Sequence, residues 1–264
     1  MNIASKLGIG LFAAGILAAG AAELASIKKA ADVTTPKAVT EADGVLSGKG
    51  GKSLFSRQLI KIDPSKKYQI SGEFRTAAGP AALVYLGFAP CDAKSGIQAR
   101  AVNTVANTQT EIAEDAKKGS KTIKVKNAAK WNKTSKYSWM VFGAKDDFSD
   151  LPNLNAVSTV PQSCKQVGDV WEFTLKTPLT ADIAAGTKVR QQLDGASYMY
   201  TAGVFKPSSK WTVRKGIAAG IAKYGNPEKK FWPGTVSARI VILVLQAQKD
   251  TVTEIRNVKV EEVK

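Results

Sequence analysis

The feature of this sequence that most limits its fold is a period of two in short segments. Tyr68, Ile70 and Phe74 alternate with polar residues, the pattern of an antiparallel strand with one buried face. Residues 82–88 are apolar on both faces, which indicates a strand in the middle of a sheet. The connections are rich in Gly, Pro, Asn and Asp, as in Asp63-Pro64-Ser65, and such residues favour turns.

Further strands are predicted at the spacing of an all-β sandwich, over residues 121–125, 137–143, 170–176, 188–193, 198–205, 238–247 and 253–262. No segment sustains the 3.6-residue period of a helix. With 264 residues, 44% of them hydrophobic, the chain is long enough to bury a large core. We therefore predict an all-β fold, a single antiparallel β-sandwich close to a jelly roll with long loops, over residues 43–264.

The N-terminal segment predicts export. Residues 7–22 carry no charge, but this run is shorter than the ~20 residues of a membrane-spanning helix. Ala19-Gly20-Ala21 has the small residues of a cleavage site, so residues 1–21 are interpreted as a signal peptide, cut after Ala21 or Ala22. The alternative is an uncleaved anchor. Residues 22–42, polar, alanine-rich and broken by Pro36, are interpreted as a linker. The expected location is secreted, periplasmic or at the cell surface, with no transmembrane segment after cleavage.

The charge balance excludes several kinds of chemistry. The chain has 38 Lys and Arg against 22 Asp and Glu, a formal charge of +16, and no histidine. Nucleophilic triads that use histidine, imidazole bases and His-ligated zinc are therefore excluded. Only seven of the cations are arginine, which argues against specific reading of nucleic-acid bases.

Eight lysines lie between Lys117 and Lys136. The alternation around them places Lys124 and Lys126 outward. They form either a solvated face or an anion-binding patch for acidic polysaccharide, lipopolysaccharide, teichoic acid or phospholipid headgroups.

Several motifs resemble one family. Residues 62–75 (IDPSKKYQISGEFR) resemble its DPSKxYxLSGxFR run, residues 85–92 (YLGFAPCD) its YxGLxPYD, and residues 145–153 (KDDFSDLPN) its xxDYSDLPN. Shorter matches at residues 186–190, 197–200, 233–235 and 255–258 extend the resemblance over nearly all of residues 44–262. The family comprises carbohydrate-binding-module-like (galactose-binding-like) jelly rolls of bacterial secreted and phage-tail proteins. The resemblance implies that fold and carbohydrate binding, although such sandwiches also serve as structural spacers.

The chain has two cysteines, Cys91 and Cys164, each in turn-like sequence. An even count in an oxidising compartment predicts a disulfide between them. Cys91 replaces the tyrosine of the family's PYD motif, which favours a lineage-specific disulfide. The alternative is two small buried apolar residues.

An acidic loop is a candidate metal site. Asp146, Asp147 and Asp150 lie within five residues, and clustered oxygens of this kind bind Ca²⁺. The resemblance also implies a structural calcium ion, because related modules often hold one. The alternative is an Asp-rich turn whose side chains accept hydrogen bonds from loop amides.

Aromatic residues are candidates for sugar binding, since a flat ring packs against the apolar face of a pyranose. Trp139 and Trp171 lie inside predicted strands and are assigned to the core. Trp131 and Trp232 lie at strand ends or in loops, and with Tyr224 they form the predicted glycan platform. The alternative for both tryptophans is a loop held against the sandwich edge.

The sequence therefore predicts a secreted, noncatalytic module that binds carbohydrate or an anionic cell-envelope polymer. A second hypothesis is a self-assembling structural subunit of a surface layer, appendage or extracellular matrix that uses exposed sheet edges and residues 23–42 for assembly. A third is a polysaccharide hydrolase or lyase that works with carboxylates. No spacing singles out a catalytic pair among Glu73, Glu111, Glu114 and Glu172.

Overall fold

The protein is described by a computed structural model that covers residues 22–264. Its strands are β1 (Glu23–Ile27), β2 (Thr40–Ala42), β3 (Val45–Lys49), β4 (Lys52–Phe55), β5 (Ile60–Lys61), β6 (Lys67–Ala78), β7 (Leu83–Cys91), β8 (Thr110–Glu111), β9 (Thr122–Val125), β10 (Ser138–Phe142), β11 (Ala156–Ser158), β12 (Lys165–Val167), β13 (Val170–Thr174), β14 (Lys188–Leu193), β15 (Val204–Phe205), β16 (Thr212–Ala219), β17 (Ser237–Leu245) and β18 (Val252–Val263). Short 3-10 helices span Ala30–Asp32, Pro36–Ala38 and Ala99–Ala101. Across residues 22–264, no helix is long and apolar enough to cross a membrane.

Two antiparallel sheets form the sandwich. Sheet 1 has six strands in the order β16-β6-β18-β3-β2, with β1 also paired to β18. Sheet 2 has five strands in the order β15-β7-β17-β4, with β5 also paired to β17. The order β3-β18-β6-β16 in sheet 1 and β4-β17-β7-β15 in sheet 2 is that of two interlocked Greek keys. The predicted jelly-roll sandwich is thereby confirmed.

The main core lies between the two sheets and follows from the alternation in the sequence. Tyr68, Ile70 and Phe74 on β6 point inward and are fully buried. β7 lies between β15 and β17, so both of its edges are paired, as expected for the apolar segment 82–88. Burial of these side chains from both sheets supplies the main stabilising free energy of the sandwich.

The chain between β7 and β15 carries a feature that the sequence did not predict. Residues 104–194, named the insertion, form two small sheets, β11-β10-β14-β8 and β12-β13-β9. They enclose a separate apolar core that includes Ile112, Val125, Phe142 and Phe173. The predicted strands in this stretch exist, but they pair with one another instead of extending the sandwich. The expectation of one sandwich with long loops is therefore wrong for this segment.

Residues 22–42 belong to sheet 1, so the prediction of a linker is wrong. β1 pairs with β18 and β2 pairs with β3. Ala25, Ile27 and Val33 are buried in the main core. The polar, alanine-rich composition hid this because only a few small or branched side chains, Val39 among them, carry the contact. The predicted signal peptide lies outside the described residues.

The predicted disulfide between Cys91 and Cys164 is not formed, and both cysteines are free thiols. Cys91 ends β7 in the sandwich, whereas Cys164 packs against the core of the insertion. The two cysteines thus lie in different parts of the fold, one on sheet 2 and one in the insertion, and sequence alone could not show this separation. Burial raises the pKa of both thiols, that of Cys164 to about 11. Both cysteines are half-buried, which is close to the alternative of two small buried apolar residues.

Candidate functional site

The outer faces of the two sheets differ in chemistry. The outer face of sheet 1 carries ion pairs between neighbouring strands, such as Arg256 with Glu73 at 2.7 Å and Arg75 with Glu254 at 2.5 Å. Each of these pairs joins β6 to β18. Such half-exposed pairs keep a sheet surface solvated and contribute little to stability.

The outer face of sheet 2 is aromatic instead. We name the aromatic face by its four ring-bearing residues, Phe55, Tyr85, Tyr198 and Tyr200, which pack over Val241 and Leu243 of β17. The two aliphatic side chains beneath are only 1% and 6% exposed, whereas the rings above them are partly exposed. This surface therefore presents aromatic rings to solvent on a rigid support.

The rings touch one another and form a continuous layer. Phe55 packs against Tyr198 with ring centroids 5.3 Å apart, and Tyr85 against Tyr200 at 4.7 Å. Tyr198 and Tyr200 are 6.4 Å apart. Burial raises the pKa of the Tyr200 phenol, so its hydroxyl stays protonated and can donate a hydrogen bond at neutral pH.

The backbone explains why two tyrosines reach this face. Met199 points into the main core, so Tyr198 and Tyr200 on either side of it point outward. The Met199 amide donates to the Phe88 carbonyl at 2.9 Å, and the Phe88 amide donates back at 2.8 Å. A Cβ atom at Gly87 would lie 1.8 Å from the Met199 carbonyl oxygen. Gly87 is thus the residue that lets the tyrosine segment lie against β7.

A groove of about 340 Å³ adjoins the aromatic face where the insertion meets the sandwich. Tyr198 lines it together with Gln98, Asp194 and Ser197. Asp194 accepts a hydrogen bond from the indole nitrogen of Trp139 at 3.2 Å. The groove therefore adds polar donors and acceptors to one end of the aromatic face.

Trp131 and Trp232 do not form the predicted platform, because both are buried. Trp131 is 4% exposed, packs on Phe173 in the core of the insertion, and donates to the Thr108 carbonyl at 2.9 Å. Trp232 is fully buried in the main core and donates to the Pro227 carbonyl at 3.1 Å. Their loops fold back over the cores, so the exposure predicted from their position at strand ends or in loops is wrong.

The structure also changes the interpretation of Tyr224, Trp139 and Trp171. Tyr224 is exposed, but it packs against Phe148 of the insertion at 4.7 Å and is not part of the aromatic face. Trp139 and Trp171, assigned to the core, are only partly buried. A cation covers each ring, Arg100 at 4.4 Å from the Trp139 centroid and Lys133 at 3.9 Å from that of Trp171.

Three of the eight lysines between 117 and 136 form ion pairs within the insertion. Lys124 pairs with Glu114 at 3.0 Å, and Lys126 with Glu111 at 2.7 Å. The hydrogen bond from Lys126 lowers the pKa of Glu111. Ligand binding by Lys124 and Lys126 stays a prediction, and their carboxylate partners offset the charge of these two lysines.

The three aspartates of the acidic loop have separate partners. Asp150 accepts two hydrogen bonds from Arg190, Asp146 pairs with Lys188 at 2.6 Å, and Asp147 accepts from the Ser149 amide at 3.0 Å. Within residues 22–264, no group of three or more acidic, Cys or His side chains could hold a metal ion. The arrangement matches the Asp-rich turn, and calcium binding stays a prediction.

Each of the four glutamates that a glycosidase would use has a cationic partner. Hydrogen bonds from Asn257 and Arg256 lower the pKa of Glu73, and Glu172 pairs with Lys165 at 3.4 Å. Throughout the described residues, every carboxyl group with a shifted pKa is shifted downward. A general acid for glycoside cleavage needs the opposite shift.

No family model and no curated protein matches the chain. Among solved structures, the chain is similar to one described as "CBM4 structure and function", with 8% identity, a TM-score of 0.32, and coverage of 88% of this chain and 77% of that one. It is also similar to a "putative glycosyl hydrolase" of Parabacteroides distasonis, with 12% identity, a TM-score of 0.28, and coverage of 88% and 94%. At these scores neither likeness says anything about the ligand, and the jelly-roll assignment rests on the strand order of the two sheets.

Proposed function

We propose that this protein is a noncatalytic carbohydrate-binding protein and that the aromatic face is its binding surface. The observation that carries the proposal is the layer of partly exposed rings on sheet 2, which contrasts with the charged outer face of sheet 1. Aromatic rings bind the apolar face of a pyranose, and tyrosine hydroxyls can bind the sugar hydroxyls at its rim.

The geometry suits a polymer better than a small sugar. Phe55, Val241 and Gly87 face one another in register across β4, β17 and β7. Because Val241 is small and Gly87 has no side chain, the rings of the aromatic face can approach one another above β4, β17 and β7. They form an open surface. Phe55 and Tyr85 are fixed by strands, and their rings lose little conformational freedom on binding. The adjoining groove supplies Asp194 and Gln98 for polar contacts.

The other two hypotheses receive less support. The lowered carboxyl pKa values favour a noncatalytic protein over a hydrolase or lyase. Residues 23–42, which a structural subunit would use for assembly, are paired within sheet 1 of the same chain. Concentration-dependent polymers without glycan binding would favour the structural subunit.

Export is part of the proposal. The carbonyl of Ala22 accepts a hydrogen bond from the Glu262 amide at 3.1 Å, and β1 begins at Glu23. A cut after Ala21 would therefore leave sheet 1 complete, whereas a cut after Ala22 would remove this hydrogen bond. Polysaccharides outside the cell would then be accessible ligands.

The experiment is affinity electrophoresis against neutral and acidic polysaccharides, followed by calorimetry on those that bind. We expect Tyr198→Ala and Tyr200→Ala each to weaken binding about tenfold or more, the loss typical of a central aromatic contact. Tyr137→Ala is the matched control, because Tyr137 is 52% exposed and lies on the insertion. Thermal melts of all variants would identify any that lose binding through unfolding.

The proposal is wrong if the folded tyrosine variants bind every polysaccharide as tightly as the unchanged protein. It is also wrong if none of the polysaccharides binds. Loss of binding on Tyr137→Ala alone would move the site to the insertion, and loss on Tyr224→Ala alone would move it to the contact between Tyr224 and Phe148.

A further inference from the structure

A second surface of the sandwich carries positive charge without partners. Residues 206–230 contain seven cations and one acid, Glu228. We name as the basic edge the six lysines Lys206, Lys210, Lys215, Lys223, Lys229 and Lys230; Arg214 instead packs over the Phe205 ring. Throughout residues 22–264, no ion pair involves any of these six. The basic edge therefore carries uncompensated positive charge.

Two of these lysines share a cavity. Lys215 of β16 and Lys229 line an open cavity of about 590 Å³ at the edge of sheet 1, together with Thr201, Gly203 and Gly216. A lysine ammonium is a compact charge with three donors that binds carboxylate, sulfate or phosphate oxygens. The cavity is therefore suited to an anionic group.

The backbone around the cavity is held in place. The Lys229 carbonyl accepts a hydrogen bond from the Ala219 amide at 3.0 Å, and the buried Thr201 hydroxyl donates to the Glu228 carbonyl at 2.7 Å. Phe231, two residues beyond Lys229, is fully buried in the main core. The lysine side chains thus project from a fixed frame, which lowers the entropic cost of binding.

The cavity adjoins the aromatic face through one segment. Tyr198 and Tyr200 lie on that face, and Thr201 and Gly203, the next residues along, line the cavity. Gly216 allows this segment to approach, since a Cβ atom there would lie 2.1 Å from the Thr201 carbonyl oxygen. A polymer on the aromatic face can therefore reach the cavity with a charged substituent.

We propose that the ligand is an acidic polysaccharide, with its sugar rings on the aromatic face and a carboxylate or sulfate group in the cavity of Lys215 and Lys229. This inference rests on the proposed function and names its substrate class. Glu228 also lines the cavity, and its carboxylate opposes an anionic ligand. Removing the charge of Glu228 should therefore strengthen the binding of an anionic ligand, whereas removing the charge of the two lysines should weaken it.

The experiment compares neutral with acidic polymers, hydroxyethyl cellulose and laminarin with carboxymethyl cellulose, alginate and dextran sulfate. We expect Lys215→Gln with Lys229→Gln to weaken acidic binding about three- to tenfold at low salt, as for two exposed ion pairs, and to leave neutral binding unchanged. Glu228→Gln should strengthen acidic binding, and added salt should reduce the difference. Lys118→Gln with Lys121→Gln is the control, because it removes the same charge from the insertion.

Four results would overturn the inference. If the tyrosine variants lose binding but the Lys215 and Lys229 variant binds acidic polymers normally, the proposed function stands and the acidic substrate class is wrong. If the control variant loses as much, the effect is one of net charge alone. If the Lys215 and Lys229 variant loses binding only to phosphatidylglycerol vesicles, the cavity serves a membrane surface. Failure of every tyrosine and lysine variant to alter binding would reject the proposed function as well.

Discussion

The ion pair between Arg190 and Asp150 ties the acidic loop to β14. The guanidinium donates to both carboxylate oxygens, at 3.0 and 2.5 Å, and the two side chains are 0% and 7% exposed. Burial alone would raise the pKa of Asp150, but hydrogen bonds from Arg190 and Asn153 outweigh it and lower the pKa. The carboxylate is therefore a structural group that holds the acidic loop to β14.

Asp150→Asn should lower the free energy of unfolding by about 3–5 kcal/mol at pH 7, because it leaves a buried guanidinium without its charge partner. The pair stabilises the fold above the ordinary pKa of aspartate, and this contribution is lost as the pH falls through the lowered pKa of the folded state. The difference between variant and unchanged protein should therefore shrink in acid. Urea titrations at pH 7 and near pH 3 measure it.

Asp147→Asn is the control for this prediction, because Asp147 is exposed and accepts only from Ser149 in its own turn. Equal effects of the two substitutions would show that the pair with Arg190 has no special role. A calcium-dependent change in stability that disappears in either variant would support the predicted metal site.

The candidate site illustrates what single residues in a sequence can and cannot show. Trp131 and Trp232 look exposed because their neighbours are polar or turn-forming, yet their loops pack over separate cores. Tyr198 and Tyr200 gave a usable signal, since alternation around Met199 indicates two side chains on one outer face. That they meet Phe55 and Tyr85 depends on strand pairing over long sequence distances, which no local pattern encodes.

Among the elements, β1 is the clearest case of structure hidden by composition. Its Ala25 and Ile27 enter the main core, and its backbone pairs with β18 from Glu23 to Ile27. Removing it would leave an apolar strip of β18 uncovered and open an unpaired edge.

A chain begun at residue 43 should therefore be less stable than a chain begun at Ala22 and should aggregate more readily. Thermal melting and light scattering at matched concentrations compare the two. A third chain, begun at Ala22 with Ala25→Asp and Ile27→Asp, separates loss of the buried contacts from loss of length. Identical melting of all three would mean that residues 22–42 act as the linker the composition suggested.

β16 was missed for a different reason. Val213 and Ile217 point to solvent, while Arg214 and Gly216 point inward opposite Gly72 and Ile70 of β6. Its apolar residues thus lie on the face where polar ones are expected. β6 and β18 obey the usual alternation and were predicted within a few residues of their bounds.

At the scale of the whole molecule, two cores share one chain. The insertion begins and ends close together, since the Leu193 amide donates to the Asn103 carbonyl at 3.0 Å. The jelly-roll fold could be predicted from the number and alternation of the strands. The separate core of the insertion could not, because its strands show the same alternation and only their pairing sets them apart.

Replacing residues 104–192 by a short glycine-serine linker should therefore leave a folded sandwich that unfolds in one transition. Neutral polysaccharide binding through the aromatic face should persist, weakened by disruption of the groove at Asp194. Circular dichroism and calorimetry test both parts. Two results together would show that the two cores depend on each other. The shortened chain would fail to fold, and the full chain would unfold when a protease cuts it within the insertion.

The position of β18 has a consequence for how the molecule is made. It lies in the interior of sheet 1, paired with β6 on one side and with β3 and β1 on the other. Until residues 252–263 leave the ribosome, the earlier strands of this sheet have no common neighbour, so native assembly of the sheet waits for β18. Such a delay would keep the nascent chain unfolded, which the proposed export across a membrane requires.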